Sequence, residues 1–116
     1  MSEAPGMAPD GSIFGGHFEQ GYVLEQLIEI QAGKGYTIIA VGDGIEQLDI
    51  LLVAQEPGLP ARILAQSSTQ GPTAVLGGRD SGGPWMNPSP IGGPLQIVLR
   101  ATRGAGSAAA RAYVTT

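Results

Sequence analysis

The sequence predicts an all-β domain, an antiparallel β-sandwich of jelly-roll-like type with about seven to eight strands. Three observations support this fold class. Nineteen glycines and nine prolines interrupt the chain, only 14% of the residues are charged, and short runs rich in β-branched and aromatic residues lie between the interruptions. With 116 residues, 42% of them hydrophobic, the chain is long enough to bury one core. One sandwich domain over residues 17–116 is therefore expected.

The N-terminal part differs in composition from the rest of the chain. Residues 1–16 are rich in glycine, proline and serine, which predicts a flexible N-terminal arm. The first periodic stretch follows at residues 22–31, "YVLEQLIEIQ". A strand would point Leu24, Ile28 and Ile30 inward with Glu25 and Glu29 outward, whereas a short helix would place Leu24, Leu27, Ile28 and Gln31 on one side. The glycines that bound this run favour the strand.

Four further strands are predicted in the middle of the chain, at residues 36–42, 47–55, 61–66 and 72–78. The sequence Gly42-Asp43-Gly44 is typical of a turn between the first two. In residues 47–55, one face carries Leu48, Ile50 and Leu52, and the other carries Asp49, Leu51 and Val53. If the outward apolar residues, together with Val98, formed a contiguous exposed patch, they would indicate subunit packing.

The C-terminal residues predict a β-hairpin. Residues 95–103 and 107–115 alternate in hydrophobicity, and Gly104-Ala105-Gly106 between them suits a tight connection. The predicted inward residues are Leu95, Ile97, Leu99 and Ala101 on one strand and Ala108, Ala110, Ala112 and Val114 on the other.

Such a hairpin would place Arg100 directly opposite Arg111 on the outer face, with Tyr113 close by. Like charges opposed across a sheet are destabilising, so an anionic group is expected near them. Glu25 and Glu29 on an adjacent strand could supply it. An anionic ligand or an acidic patch on a neighbouring copy would be the functional alternative.

The charges are distributed unevenly along the chain. Residues 1–56 contain nine acidic residues and one lysine, whereas residues 57–116 contain five arginines and one aspartate. These halves could neutralise each other within one fold or between copies of a self-assembling structural subunit. The net charge of −4 argues against nucleic-acid binding. The absence of cysteine excludes disulfides and thiolate sites, and no apolar run reaches the ~20 residues needed to span a membrane.

The strand pattern resembles that of the bacterial pre-peptidase C-terminal-like domain. The matching elements are Ala32-Gly33 before an aromatic-led strand, the step Leu48-Asp49-Ile50, and the closing Gly-Ala-Gly connection, so the resemblance spans roughly residues 16–115. It implies a non-catalytic β-sandwich module of a secreted or cell-surface bacterial protein. Such a module would serve attachment or contact with a protein or polysaccharide partner, in an extracellular or periplasmic location. The chain shows no signal peptide.

One pentapeptide points to a different class. Asp80-Ser81-Gly82-Gly83-Pro84 matches the nucleophile loop of trypsin-like serine proteases, and His17 and Asp49 precede it in the order that family uses. Those enzymes build their site between two barrels, in about twice this length, and loops of small residues readily spell such a sequence. We interpret the match as coincidence and the protein as a non-enzyme. A serine hydrolase at Ser81 is the remote alternative.

Two other groups of residues are candidates for binding. Asp43, Glu46, Asp49 and Asp80 could offer oxygen ligands to Ca²⁺, although "GDGIEQLD" lacks the EF-hand spacing, and no other cofactor is expected. Trp85 is the single tryptophan and lies in a long loop rich in glycine and proline. It either closes one end of the sandwich or is exposed for stacking on a sugar ring or a partner protein.

Overall fold

The structure is a computed structural model that describes residues 7–54, 58, 60–67, 71–77, 85–86 and 93–115. Seven antiparallel strands contain most of these residues, and none of these residues is helical. The strands are β1 (Met7–Phe18), β2 (Val23–Ile30), β3 (Gly35–Ala54), β4 (Arg62–Gln66), β5 (Thr73–Leu76), β6 (Trp85–Met86) and β7 (Gly93–Thr115). The predicted all-β antiparallel fold is confirmed.

Two long strands, β3 and β7, pair with each other and organise the molecule. A straight strand of the 23 residues of β7 would be about 75 Å long at about 3.3 Å per residue, whereas the longest dimension of the molecule is 39 Å. Both strands therefore bend. The bend lies where their register shifts, between Asp43 and Leu48 of β3, and Gly44 and Gly104 there have φ angles of +88° and +86°. Bulges with left-handed glycines turn a strand in this way.

The bend divides the sheet into two layers. The first layer consists of β1, residues 106–115 of β7, residues 35–43 of β3, β5 and β6. The second layer consists of β2, residues 93–101 of β7, residues 48–54 of β3, and β4. The strand order is thus β1–β7–β3–β5 in one layer and β2–β7–β3–β4 in the other, which does not confirm a jelly-roll-like connectivity.

The inner faces of the two layers meet in a single core. The first layer contributes mainly small residues, including Ala40, Ala110 and Ala112, and the second contributes mainly large ones, including Ile50, Leu52, Ile97 and Leu99, all of which are buried. Small side chains facing large ones allow the layers to interdigitate. The inward residues predicted for residues 47–55, 95–101 and 108–112 are confirmed. In β2, Ile30 is buried, Leu24 and Ile28 pack against the core, and Glu25 and Glu29 are exposed, so the strand interpretation is right and the helical one is wrong.

Two predicted connections are wrong. Gly104-Ala105-Gly106 is not a hairpin loop, because β7 continues through it, and Gly42-Asp43-Gly44 is not a turn, because β3 continues through it. Each half of β7 pairs with β3 and not with the other half of β7. The glycines bend two strands that stay paired, and they do not reverse the chain.

The N-terminal segment also differs from the prediction. Residues 7–16, expected within a flexible arm, belong to β1, in which residues 7–10 and 14–18 pair with β7. Phe18 is buried, and Phe14 packs against the core. Between them, Gly15 allows β1 and β7 to approach closely, because a Cβ on Gly15 would collide with the carbonyl oxygen of Ala108. Residues 1–6 lie outside the described residues.

Candidate functional site

Arg100 and Arg111 lie on different layers. Arg100 is on the outer face of the second layer, between Val23 of β2 and Asp49 of β3. Arg111 is on the outer face of the first layer, opposite Ile39 of β3. The predicted juxtaposition of the two arginines is therefore wrong, because it depended on the hairpin that β7 does not form.

The acidic neighbour of Arg100 is Asp49 and not Glu25 or Glu29. Nη2 of Arg100 lies 3.8 Å from Oδ2 of Asp49, and the Arg100 side chain is 42% exposed. Asp49 also accepts hydrogen bonds from Gln47 Nε2 at 2.8 Å and from Thr102 Oγ1 at 3.2 Å. Nε of Arg100 is buried without a hydrogen-bond partner. The carboxylate of Asp49 thus interacts with neighbours in its own sheet, whereas the guanidinium of Arg100 has one N–H donor without an acceptor.

Arg111 and Tyr113 share a face, as the alternation of β7 predicted. Both are half-buried, and Tyr113 lies opposite Thr37 of β3. Nε of Arg111 is buried without a hydrogen-bond partner, like that of Arg100. The flanking side chains of this face include Val41 and Ile39, so Arg111 stands among mainly apolar neighbours.

Trp85 lies in the two-residue strand β6, opposite Tyr36 of β3. Its side chain is half-buried and packs against the core, whereas the next residue, Met86, is exposed. This position corresponds to the interpretation in which the tryptophan covers one end of the sandwich. Its role as a contact for a ligand or partner stays a prediction.

Those residues proposed for other chemistry that the structure describes are not gathered into one site. Nε2 of His17 lies 3.7 Å from Oε1 of Glu19, while Asp49 is engaged with Gln47, Thr102 and Arg100. Ser81 and Asp80 lie outside the described residues. Asp43 is exposed at the bend of β3. Among the residues that the structure describes, no three His, Asp or Glu side chains are close enough to hold a metal ion.

The outer face of the second layer combines apolar and charged side chains. Residues paired across strands share a face, so the register places Leu27, Gln96, Val53 and Ile63 in one row and Glu25, Val98, Leu51 and Gln66 in the next. Leu51 and Val53 in the middle of this face are buried. At its two edges Leu27 is 62% exposed and Ile63 is 56% exposed. We call the eight residues of these two rows, together with Val23, Glu29 and Arg100, the outer apolar face.

Sequence reasoning found only part of this face. It identified Leu51, Val53 and Val98 as outward and apolar, and it missed Val23, Leu27 and Ile63. The first two could have been recognised in β2, where Val23, Glu25, Leu27 and Glu29 alternate apolar and acidic residues on the outward side. Ile63 could not, because a register shift between β3 and β4 decides which face it occupies.

Comparisons with known proteins identify no family. No family model and no curated protein matches the chain. Among the solved structures that are similar is the "Crystal structure of Aeromonas hydrophila PliG, a periplasmic lysozyme inhibitor of g-type lysozyme", with 14% sequence identity and a TM-score of 0.49 over 90% of this chain and 83% of that one. No helix in the described residues is long and apolar enough to cross a membrane. Membership of the pre-peptidase C-terminal-like family stays a prediction.

Proposed function

We propose that this chain is a non-catalytic binding module and that it contacts a protein partner through the outer apolar face. The observation that carries the proposal is the exposure of large aliphatic side chains on this face. Val23, Leu27 and Ile63 are each more than half exposed and flank the buried Leu51 and Val53. Protein–protein interfaces bury apolar side chains against the partner.

The energetics of the face favour a partner that covers it. Fully burying one aliphatic side chain contributes about 1.5–3 kcal/mol, so covering the exposed parts of three would give several kcal/mol. Glu25, Glu29 and Arg100 lie around these side chains and would determine orientation and specificity more than affinity. The unused Nε donor of Arg100 adds a group that an acceptor on a partner could satisfy.

The alternatives have less support from the described residues. Self-assembly through acidic and Arg-bearing surfaces has less support, because one of the arginines, Arg100, already pairs with Asp49 of its own chain. The serine hydrolase would need His17 and Asp49 to act together, and each has other neighbours. A polysaccharide partner, a bound Ca²⁺ and an extracellular or periplasmic location stay predictions that rest on residue types and the family resemblance.

Affinity capture with matched variants tests this function. The bait proteins are the wild type, a Leu27→Lys, Ile63→Lys double variant, and a Val41→Lys control. Val41 is 56% exposed, like Ile63, but lies on the outer face of the first layer. Proteins from the cells that make this chain are cross-linked to each bait and quantified by mass spectrometry.

We expect at least one partner that the wild type and the Val41→Lys control retain equally and that the double variant loses about tenfold or more. Thermal unfolding of the three baits verifies that they are equally folded. Equal retention by all three baits would show that the outer apolar face is not the interface.

A further inference from the structure

Within the part of the chain that the structure describes, the strand β2 forms an open edge of the second layer. It pairs with β7 over its whole length, from Val23 opposite Arg100 to Ile30 opposite Gly93, and no described residue pairs with its other side. The register is uninterrupted across these eight residues. An edge strand of this kind presents a row of outward backbone donors and acceptors, and among those of β2 the carbonyl oxygen of Leu27 accepts a hydrogen bond of 3.4 Å from the exposed side-chain Nε2 of Gln26.

The alternation of hydrogen bonds between β2 and β7 determines which residues of β2 direct their backbone N–H and C=O groups away from β7. The carbonyl oxygen of Tyr22 accepts from the N–H of Ala101 at 3.1 Å, so this pair belongs to the hydrogen-bonded set of the ladder. Hydrogen-bonded pairs alternate along an antiparallel ladder, so Leu24, Gln26 and Ile28 direct their N–H and C=O groups to β7. The N–H and C=O groups of Val23, Glu25, Leu27 and Glu29 therefore point to the open edge.

The same four residues carry their side chains on the outer apolar face. Val23 and Leu27 are 52% and 62% exposed, and Glu25 and Glu29 are exposed between and beyond them. A strand added at this edge would thus meet, on one face and at every second residue, an apolar, an acidic, an apolar and an acidic side chain.

The other edges are less suited to receiving a strand. β1 contains Pro9 and a register irregularity between Asp10 and Phe14. β4 has five residues and a register shift beside Val53, and β5 has only four residues. Proline, bulges and short length are devices that protect sheet edges from pairing. In β2 none of these devices is present, and acidic side chains are the remaining protection.

The acidic side chains select among partners. Antiparallel pairing of β2 with a second copy centred on Leu27 would place Glu25 opposite Glu29 of that copy, and like charges directly opposite are destabilising. A strand with basic residues at these two positions would instead gain two opposite-charge pairs. In this register, charge complementarity therefore favours a basic partner over a second copy.

We propose that β2 binds an extended segment of a partner protein by antiparallel strand addition, and that this segment carries basic and apolar residues alternately at every second position. The inference rests on the proposed binding function and specifies its partner. The basic residues lie opposite Glu25 and Glu29, and the apolar ones lie opposite Val23 and Leu27. Backbone hydrogen bonds would supply affinity and these side chains specificity.

A synthetic peptide tests the proposal directly. The probe is a fluorescein-labelled peptide, Lys-Thr-Val-Thr-Lys-Thr-Val, with capped ends, titrated with the full chain and followed by fluorescence anisotropy. In the proposed register the lysines and valines share the outer face, and their N–H groups point to β2. The N–H groups of the threonines point away from it.

Backbone N-methylation gives a matched pair of controls. We expect methylation of one lysine and one valine nitrogen to weaken binding about tenfold or more, because each methyl group removes one backbone hydrogen bond to β2. Methylation of two threonine nitrogens is expected to change affinity less than about threefold. Equal effects of the two methylation patterns, or no binding of the unmethylated probe, would overturn strand addition at β2.

A charge exchange verifies the register. The Glu25→Lys, Glu29→Lys double variant is expected to lose the lysine probe and to bind Glu-Thr-Val-Thr-Glu-Thr-Val instead, which a loss of folding would not produce. Retention of the lysine probe by this variant would refute the assigned acidic contacts.

Ile63→Lys separates this proposal from the proposed function. Ile63 lies on β4, at the other side of the outer apolar face, so the variant should bind the peptide like the wild type while losing the captured partner. If the peptide does not bind but capture still depends on Leu27 and Ile63, strand addition is wrong and the binding face stands. If the peptide binds and no capture depends on Ile63, strand addition stands and the wider face is wrong.

Discussion

Replacing Gly104 by alanine tests whether the bend of β7 depends on a backbone conformation that glycine adopts readily. Gly104 has φ +86°, and holding a non-glycine residue in the left-handed region costs roughly 1 kcal/mol or more. An added Cβ would also lie 2.7 Å from the backbone nitrogen of Glu46 and 3.1 Å from the carbonyl oxygen of Gly44. Relieving that overlap requires β3 to move, at a further cost of about 1–3 kcal/mol. We expect Gly104→Ala to lower the free energy of unfolding by about 2–4 kcal/mol.

Two control variants separate the contributions to this loss. Gly33→Ala changes a residue with φ +73° that has no atom within 4 Å of the added Cβ, so it should cost only the backbone term of about 1 kcal/mol. Gly16→Ala also has no atom within 4 Å, and its φ is not positive, so it should change stability by less than about 0.5 kcal/mol.

Urea unfolding followed by tryptophan fluorescence gives the three free energies from linear extrapolation. The order expected is a large loss for Gly104→Ala, a smaller one for Gly33→Ala and almost none for Gly16→Ala. A loss for Gly104→Ala no greater than that for Gly33→Ala would refute the close approach of β3 and β7 at the bend.

Three further substitutions test other parts of the fold by the same unfolding measurement. Phe18→Ala should cost about 3–5 kcal/mol, because Phe18 is buried in the core; a loss below about 1 kcal/mol would show that β1 is not part of the stable fold. Thr37→Val should cost about 1–3 kcal/mol, because Thr37 Oγ1 donates a buried hydrogen bond of 2.8 Å to the carbonyl oxygen of Gly77, which would be left unsatisfied; an unchanged stability would contradict that bond. Arg100→Gln should cost less than about 1 kcal/mol, because its ion pair with Asp49 is long and partly exposed; a salt-insensitive loss above about 2 kcal/mol would indicate a stronger role than this geometry allows.

The outer apolar face shows what the alternation of residues along one strand can predict and what it cannot. Alternation assigned Leu51 and Val53 to the face opposite Leu48, Ile50 and Leu52, and the register confirms this. Alternation within one strand cannot state which residues of other strands lie beside it. The neighbours Leu27 and Ile63 come from β2 and β4, which are distant in sequence.

The number of strands agrees with the prediction, but the strands themselves differ from the predicted ones. The predicted list omits β1 and β6 and divides both β3 and β7 in two, so the omissions and divisions balance. Glycine-rich stretches produced both divisions, because the same residues that permit a chain reversal also permit a bulge in a continuous strand. Which of the two occurs depends on whether a partner strand bends alongside, as β3 does beside β7.

Local sequence alone determined the fold class, the direction of most strand side chains and part of the core, because a period of two and residue size are properties of a single strand. Only the tertiary structure decided that Arg100 faces Asp49, that Arg111 lies on the other layer, and that the N-terminal segment is a strand. These features depend on pairing between residues far apart in the chain. A local sequence pattern does not predict which of those residues lie opposite each other. The open edge of β2 belongs to the same group, since a strand becomes an edge only when the positions of all the others are known.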